Sequence, residues 1–234
     1  MKENKYFEKE RHCKQMIGTT SWLVPGTYYE NARLVAQIVD FVELLVYTWD
    51  WETQMLLTKE IGKLNKLTEI YGLKYTVHLP TDSLENVRNA YSFLNGKLDI
   101  LNFVVHPYDN YEFLEIIENY HNVSVENLRE RVYYHKRFVY DIGHSLLGIK
   151  PELSKILENG SITELHLMGI KDGKDHLEVD LNNLNTLYRE IGNLIFSTSL
   201  ICFEVFTLEE LINSVIRWEK WIKLMSGDEF EKGI

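Results

Sequence analysis

The sequence has few cysteines, no long apolar run and no excess of positive charge, and each absence excludes a class of protein. The only cysteines, Cys13 and Cys202, fit reduced cytosolic thiols better than a disulfide framework. The longest apolar runs are far too short to span a bilayer, and no basic segment followed by an apolar stretch resembles a secretion signal. A formal net charge of −10 disfavours binding along a nucleic-acid backbone. We therefore expect a cytoplasmic protein without a membrane or nucleic-acid partner.

Length and composition are those of an ordinary globular chain. Apolar residues make up 45% and charged residues 26% of the sequence. The 234 residues fall within the size range of a single α/β barrel. We assign residues 1–15 to a charged lead-in and residues 16–234 to one catalytic domain.

Short apolar runs rich in Val, Ile, Phe, Tyr and Thr recur along the chain and predict strands. Most are nearly continuous in apolar residues, as is typical of parallel strands covered on both faces. The predicted strands are MIGTTSW (16–22), VELLVY (42–47), KYTVHL (74–79), ILNFVVH (100–106), NVSVEN (122–127), RFVYDIG (137–143), ITELHLM (162–168) and LICFEVF (200–206).

Amphipathic segments with apolar spacing near 3.6 residues separate these runs and predict helices. The predicted helices span residues 29–40, 54–71, 83–94, 111–120, 127–136, 151–158, 181–191 and 208–225. Eight alternating units favour a (β/α)8 TIM barrel, because a doubly wound open sheet would need only about five or six strands. The fifth connection is short, so its helix has room for only about two or three turns.

Ionisable side chains recur where the predicted strands end, which is where active sites lie in such barrels. The second strand carries Glu43 earlier in its run, and the loop KDGKDH follows the seventh strand. The candidates at or beyond the strand ends are His78, His106, Glu126, Asp141 with His144, His166, Glu204, and, from the loop, Asp172, Asp175 and His176.

Each candidate also has an ordinary structural interpretation. A single histidine is more often a satisfied core residue, and Asp141 with His144 fits a helix N-cap and its neighbour. Convergence of six such groups on one rim is different, since their desolvation and repulsion would cost several kcal/mol if they stayed unpaired. A divalent cation offsets that cost.

The mixture of imidazole and carboxylate suits zinc first, with manganese or iron as alternatives. Zinc takes about four ligands, and the candidate side chains exceed that number. They therefore predict two or three metals, with Glu126 as a candidate bridge. Clustered metals favour phosphate-ester hydrolysis, because they hold the ester oxygens and stabilise the leaving oxygen. No GxGxxG or Walker loop is present, so no nucleotide cofactor is expected.

The motifs HLP, HP, VEN, D-x-x-H, LHL and FEVF, in this order, resemble the xylose-isomerase-like barrel superfamily, which includes endonuclease IV. The resemblance extends over almost the whole chain from Met16 and implies nine ligands for three zinc ions. In this sequence they would be His78, His106, Glu126, Asp141, His144, His166, Asp175, His176 and Glu204. The superfamily pattern has Asp-x-His where this chain has adjacent Asp175 and His176. The third metal, and the choice between Asp172 and Asp175, therefore stay open.

Within that superfamily, the stretch from Thr19 to Tyr47 and the closing CFEVF are similar to the cobamide-remodelling phosphodiesterases. This resemblance implies hydrolysis of the nucleotide loop of a vitamin B12-type corrinoid, with release of the lower-ligand nucleoside. A small phosphodiester would then be the partner, and we expect Glu126 and Glu204 to be catalytic.

Two other enzymes of the superfamily are alternatives. In a sugar isomerase or epimerase, one metal would be held by Glu126, Asp141, His166 and Glu204, and the two glutamates would also shuttle protons. His78 and His106 discriminate between the two, because only the phosphodiesterase needs them as ligands. An apurinic-site endonuclease ranks third, since it predicts a basic groove of DNA size. A non-enzymatic barrel ranks last, and the oligomeric state stays open.

Overall fold

Short buried runs of apolar residues form eight parallel strands that close into a barrel. A computed structural model describes residues 15–226 of the protein. Its strands are β1 (Met16–Thr20), β2 (Phe41–Leu45), β3 (Lys74–His78), β4 (Ile100–Val105), β5 (Val123–Glu126), β6 (Arg137–Asp141), β7 (Ser161–Leu167), β8 (Gly169–Lys171), β9 (Lys174–Leu177) and β10 (Leu200–Phe203). The barrel order is β1-β10-β7-β6-β5-β4-β3-β2, and β8 and β9 form a separate antiparallel hairpin. The predicted (β/α)8 TIM barrel is thereby confirmed.

Helices lie between most of the strands, and several begin at a polar cap. The helices are α1 (Tyr28–Val35), α2 (Trp51–Tyr71), α3 (Leu84–Leu94), α4 (Tyr111–Asn119), α5 (Ile142–Leu147), α6 (Leu153–Asn159), α7 (Leu181–Ile191), α8 (Leu194–Ser197) and α9 (Leu208–Ser226). Thr27, Asp50, Ser83, Asn110 and Asp180 each accept a hydrogen bond from the backbone N–H three residues on. Between residues 15 and 226, no helix combines the length and apolarity that a membrane crossing needs.

The helix predicted over residues 127–136 is wrong, because that stretch is an irregular connection. Its carbonyl groups serve other segments. The Asn127 carbonyl lies 2.8 Å from His144 Nδ1, and the Arg129 carbonyl accepts the backbone N–H of Ile149 at 2.7 Å. A helix over these residues would need the same oxygens as acceptors of its own backbone hydrogen bonds.

Other predicted elements also differ from the structure: the helix predicted over residues 29–40 ends at Val35. The strand predicted over residues 137–143 ends at Asp141, where α5 begins. The hairpin of β8 and β9 occupies the loop after β7, for which no strand was predicted.

At the start of the chain, the predicted lead-in at residues 1–14, including Cys13, lies outside the described residues. Gln15, also assigned to the lead-in, is buried, and its side chain donates to the carbonyl of Thr198 at 3.0 Å.

The barrel interior is filled in layers, as is usual for this architecture. Its floor is an apolar cluster of Phe41, Leu200 and the free thiol Cys202. Next to this cluster lies Glu164, which accepts a hydrogen bond from Asn102 Nδ2 at 2.8 Å. This side chain reaches across the barrel from β7 to β4, so the interior is packed with side chains and is not an open channel.

Gly18 on β1 lies so close to the Phe41 ring in the barrel floor that there is no room for a side chain. An added Cβ there would lie 2.3 Å from the ring of Phe41, far inside contact distance. Gly18→Ala should therefore lower the free energy of unfolding by about 1–3 kcal/mol through overpacking. The matched control is Gly62→Ala on α2, where nothing lies within 4 Å. It should stabilise by about 0.5–1 kcal/mol, because Ala is the better helix former.

Urea unfolding followed by far-ultraviolet circular dichroism measures both variants against the wild type. Equal free energies of unfolding for Gly18→Ala and Gly62→Ala would contradict this description of the barrel floor.

Candidate metal centre

The carboxyl ends of the barrel strands bring seven of the nine predicted ligands to one mouth. Parallel strands of a closed barrel all end on the same side, so side chains at their last residues converge. His78, Glu126 and Asp141 are the last residues of β3, β5 and β6. The remaining four are His106 and Glu204, each one residue beyond a strand, His166 within β7 and His144 within α5.

Glu126 is the centre of this arrangement, and its two oxygens face different imidazoles. Oε2 lies 3.2 Å from His78 Nε2 and 3.0 Å from His106 Nε2. Oε1 lies 2.9 Å from His166 Nδ1. If cations are bound, Glu126 would belong to two ligand sets, one at each of its oxygens.

A second group of carboxylates surrounds His166. Its Nδ1 lies 3.2 Å from Glu204 Oε1 and 3.8 Å from Asp141 Oδ2, in addition to the contact with Glu126. The side chain of His166 is fully buried, and those of Glu126 and Asp141 nearly so. One imidazole nitrogen therefore faces three carboxylates that have little access to water.

These residues fit one or more divalent cations. Within the described residues, three groups have donor atoms lying within 4.8 Å of one another: His78, His106 and Glu126; Glu126, Asp141 and His144; and Glu43, His166 and Glu204. Two of their buried atoms, Glu43 Oε1 and His166 Nε2, have no hydrogen-bond partner. Imidazole with carboxylate is the donor set that zinc, iron and manganese share.

The electrostatics of the cluster show how it balances charge through its own side chains. Burial raises the pKa of Glu204 well above its usual value and that of Glu43 to about 8. Burial opposes charge on His166, yet Glu204, Glu43 and Glu126 hold its pKa well above the ordinary value. Burial would likewise raise the pKa of Glu126, but the charge of His166 and hydrogen bonds from imidazoles hold it well below its usual range. A protonated imidazole is therefore the counter-charge that a divalent cation would replace.

The N-cap interpretation of Asp141 and His144 is confirmed, and both side chains also lie beside the ligand cluster. Asp141 caps α5, since its Oδ1 accepts the backbone N–H of His144 at 2.6 Å, and it also faces His166. His144 Nδ1 lies 2.8 Å from the carbonyl oxygen of Asn127, so this nitrogen carries the proton and Nε2 is left for a ligand. The Asn127 side chain also accepts the backbone N–H of Asp141 at 2.9 Å.

The three candidate ligands on the hairpin of β8 and β9 make different contacts. Asp175 forms an ion pair with Arg129 of the β5–β6 connection. His176 Nδ1 lies 3.3 Å from the carbonyl oxygen of Glu204 and 3.7 Å from its Oε2. Asp172 is exposed in the turn, with a φ of 52°. None of the three belongs to the donor groups found among the described residues.

The mouth also carries side chains that sequence reasoning did not assign to the site. Exposed Trp22 packs edge-on against Tyr47, whose ring in turn contacts His78 at 4.7 Å between centroids. Exposed Phe206 lies 4.9 Å from His176 between ring centroids. The position of these aromatic residues after strand ends was the available signal. No sequence pattern marked Arg129.

Comparison with known proteins finds similar barrels among solved structures. No family model matches the chain, and no curated protein matches it. A D-tagatose 3-epimerase-like protein is similar, with a TM-score of 0.67 and 19% identity over 92% of this chain and 99% of that one. The 3-keto-D-glucoside 4-epimerase YcjR from E. coli gives a TM-score of 0.54 and 12% identity over 90% of this chain and 99% of that one. A structure described as AsfvAP:AG gives 0.53 and 10%, over 90% and 99%. At these identities the likeness establishes the barrel fold.

Protein purified without chelators or nickel resin should carry about two equivalents of divalent metal per chain, because Glu126 presents one oxygen to each of two ligand sets. The double variant His78→Ala/His106→Ala should lose one equivalent, since it removes both imidazoles facing Oε2. Elemental analysis by mass spectrometry measures both proteins.

The matched control for that experiment is His121→Ala, which changes an exposed histidine outside the site. It should retain the full metal content. A double variant that keeps as much metal as this control would contradict the bridging role of Glu126.

Proposed function

We propose that this protein is a metal-dependent phosphodiesterase acting on a small phosphodiester. The observation that carries the proposal is the shared carboxylate of Glu126, with His78 and His106 on one oxygen and His166 on the other. Two neighbouring cations, when bound, would hold the ester oxygens and offset the charge of the leaving oxygen. Histidines at the ends of both β3 and β4 have a direct purpose in such a site.

Charged and aromatic side chains around the mouth support a substrate of this class. Arg129 is 46% exposed, so it is accessible to an anionic phosphodiester although it pairs with Asp175. Exposed Trp22 and Phe206 offer ring faces for a flat organic group. The sequence resembles the cobamide-remodelling phosphodiesterases. We therefore propose as substrate a cobamide, whose nucleotide loop contains the phosphodiester.

A sugar epimerase or isomerase is the second candidate, and the comparisons back it better than they back cobamide hydrolysis. Two of the similar solved structures are described as an epimerase or as epimerase-like. The geometry adds that Glu126 and Glu204 lie 2.9 and 3.2 Å from the same nitrogen of His166. Two carboxylates beside one cation position suit removal and return of a proton on a bound sugar. His78 and His106 would then contact sugar hydroxyl groups.

Paired assays on one preparation separate these candidates. Adenosylcobalamin is incubated with the metal-loaded protein, and release of the lower-ligand nucleoside is followed by chromatography. Ketohexoses such as D-tagatose and D-fructose are assayed in parallel for epimers. Nucleoside release that falls at least about 100-fold in His78→Ala/His106→Ala supports the phosphodiesterase. Epimer formation that survives in this variant, without nucleoside release, would contradict it and establish the second candidate.

Glu126→Gln should abolish turnover and leave the fold intact, because the amide keeps the shape but loses the charge that both ligand sets share. Circular dichroism and the melting temperature of the metal-free variant report on the fold. Turnover like that of the wild type in this variant would exclude the site described here, whichever substrate is used.

A further inference from the structure

Glu43 lies inside the barrel, in the middle of β2 and beneath the cluster at the mouth. Its side chain is fully buried, and its register partners on the two neighbouring strands are Thr20 and Thr76. A carboxyl group in this position is expensive to desolvate unless something nearby needs it. The contacts of its two oxygens identify the neighbouring group that needs this carboxyl group.

One oxygen of Glu43 is held, and the other faces an imidazole. Oε2 accepts a hydrogen bond from the thiol of Cys202 at 3.4 Å. Oε1 lies 3.5 Å from His166 Nε2, just beyond a normal hydrogen bond. Both of these facing atoms are buried and have no other hydrogen-bond partner. A small movement of either side chain would bring these two atoms into a hydrogen bond with each other.

The opposite nitrogen of His166 belongs to the ligand cluster. Nδ1 is the atom that faces Glu126, Glu204 and Asp141, at 2.9, 3.2 and 3.8 Å. An imidazole that binds a cation through one nitrogen carries its proton on the other. The partner of that second nitrogen fixes the tautomer and the orientation of the ring.

We propose that Glu43 is a positioning residue that accepts a hydrogen bond from the Nε2–H of His166 and thereby directs Nδ1 toward a cation at the mouth. Cys202 holds the carboxyl group in place from below. The inference rests on the metal centre of the proposed function, but it holds for either reaction considered there.

Direct ligation of a cation by Glu43 is the competing role, since its donor atoms also group with those of His166 and Glu204. The geometry disfavours it. Glu43 faces Nε2, whereas the other three carboxylates face Nδ1 on the other side of the ring. A cation held by Nδ1 and these carboxylates would therefore be on the opposite side of the imidazole from Glu43.

Zinc affinity measured by competition with a chromogenic chelator distinguishes the two roles. Glu43→Gln keeps an oxygen that can accept from Nε2–H, so its dissociation constant should stay within about 3-fold of the wild type. Glu43→Leu fills similar space without an acceptor and should weaken binding by about 10–100-fold. If Glu43→Gln binds zinc as weakly as Glu43→Leu, Glu43 acts as a ligand and the positioning role is overturned.

Glu164→Gln is the matched control, because it removes another buried carboxyl group from β7. Its oxygens face Asn102 and Thr76. Zinc affinity in this variant should equal that of the wild type. A loss as large as that in Glu43→Leu would show that buried charge in general matters, and it would overturn the specific role of Glu43.

The tautomer of His166 can be read directly in the wild type, which does not depend on any variant folding. Two-bond proton–nitrogen correlation spectra of the zinc-loaded protein, labelled with 15N-histidine, should show the His166 proton on Nε2 and zinc on Nδ1. A proton on Nδ1 would overturn the inference. Expected spectra and affinities without turnover of either substrate would refute the proposed function alone.

Discussion

The cost of burying several carboxylates in one small volume constrains the rest of this structure. Glu126, Asp141 and Glu204 are withdrawn from water at the mouth of the barrel, and Glu43 is buried just beneath them. Like charges at this separation repel strongly in a medium that screens them poorly. Imidazoles interleave with the carboxylates, and His166 lies among all four. The donor groups of this cluster fit a divalent cation, whose charge would offset that cost.

The scaffold meets this constraint by fixing the polar groups from below and from the side. The apolar floor and the Glu164–Asn102 pair fill the interior beneath the cluster. The apolar residues between sheet and helices form a separate and larger core. Stability is thus supplied mainly outside the barrel, and the interior is free to carry groups that destabilise it.

Much of this could be predicted from local pattern. Continuous apolar runs mark parallel strands, and eight of them in a chain of this size close into a barrel, so the positions of His78 and Glu126 at strand ends followed. The irregular β5–β6 connection could not be predicted, because its apolar spacing suits a helix and only distant partners for its carbonyl groups decide otherwise. The pairing of Asp175 with Arg129 likewise joins residues that lie 46 positions apart. Position at a strand end is a local property, whereas the choice of partner is not.

Asn127 links three of the ligand-bearing segments. It follows Glu126 directly, its side chain exchanges two hydrogen bonds with the backbone of Asp141, and its carbonyl oxygen faces His144. The relative positions of these three candidate ligands are therefore fixed through one residue. Over evolutionary time, the β5–β6 connection can accept few insertions or deletions, since a change in its length would displace all three ligands at once. The turn of the β8–β9 hairpin is exposed and tied to none of them, so length variation among descendants of this chain should accumulate there.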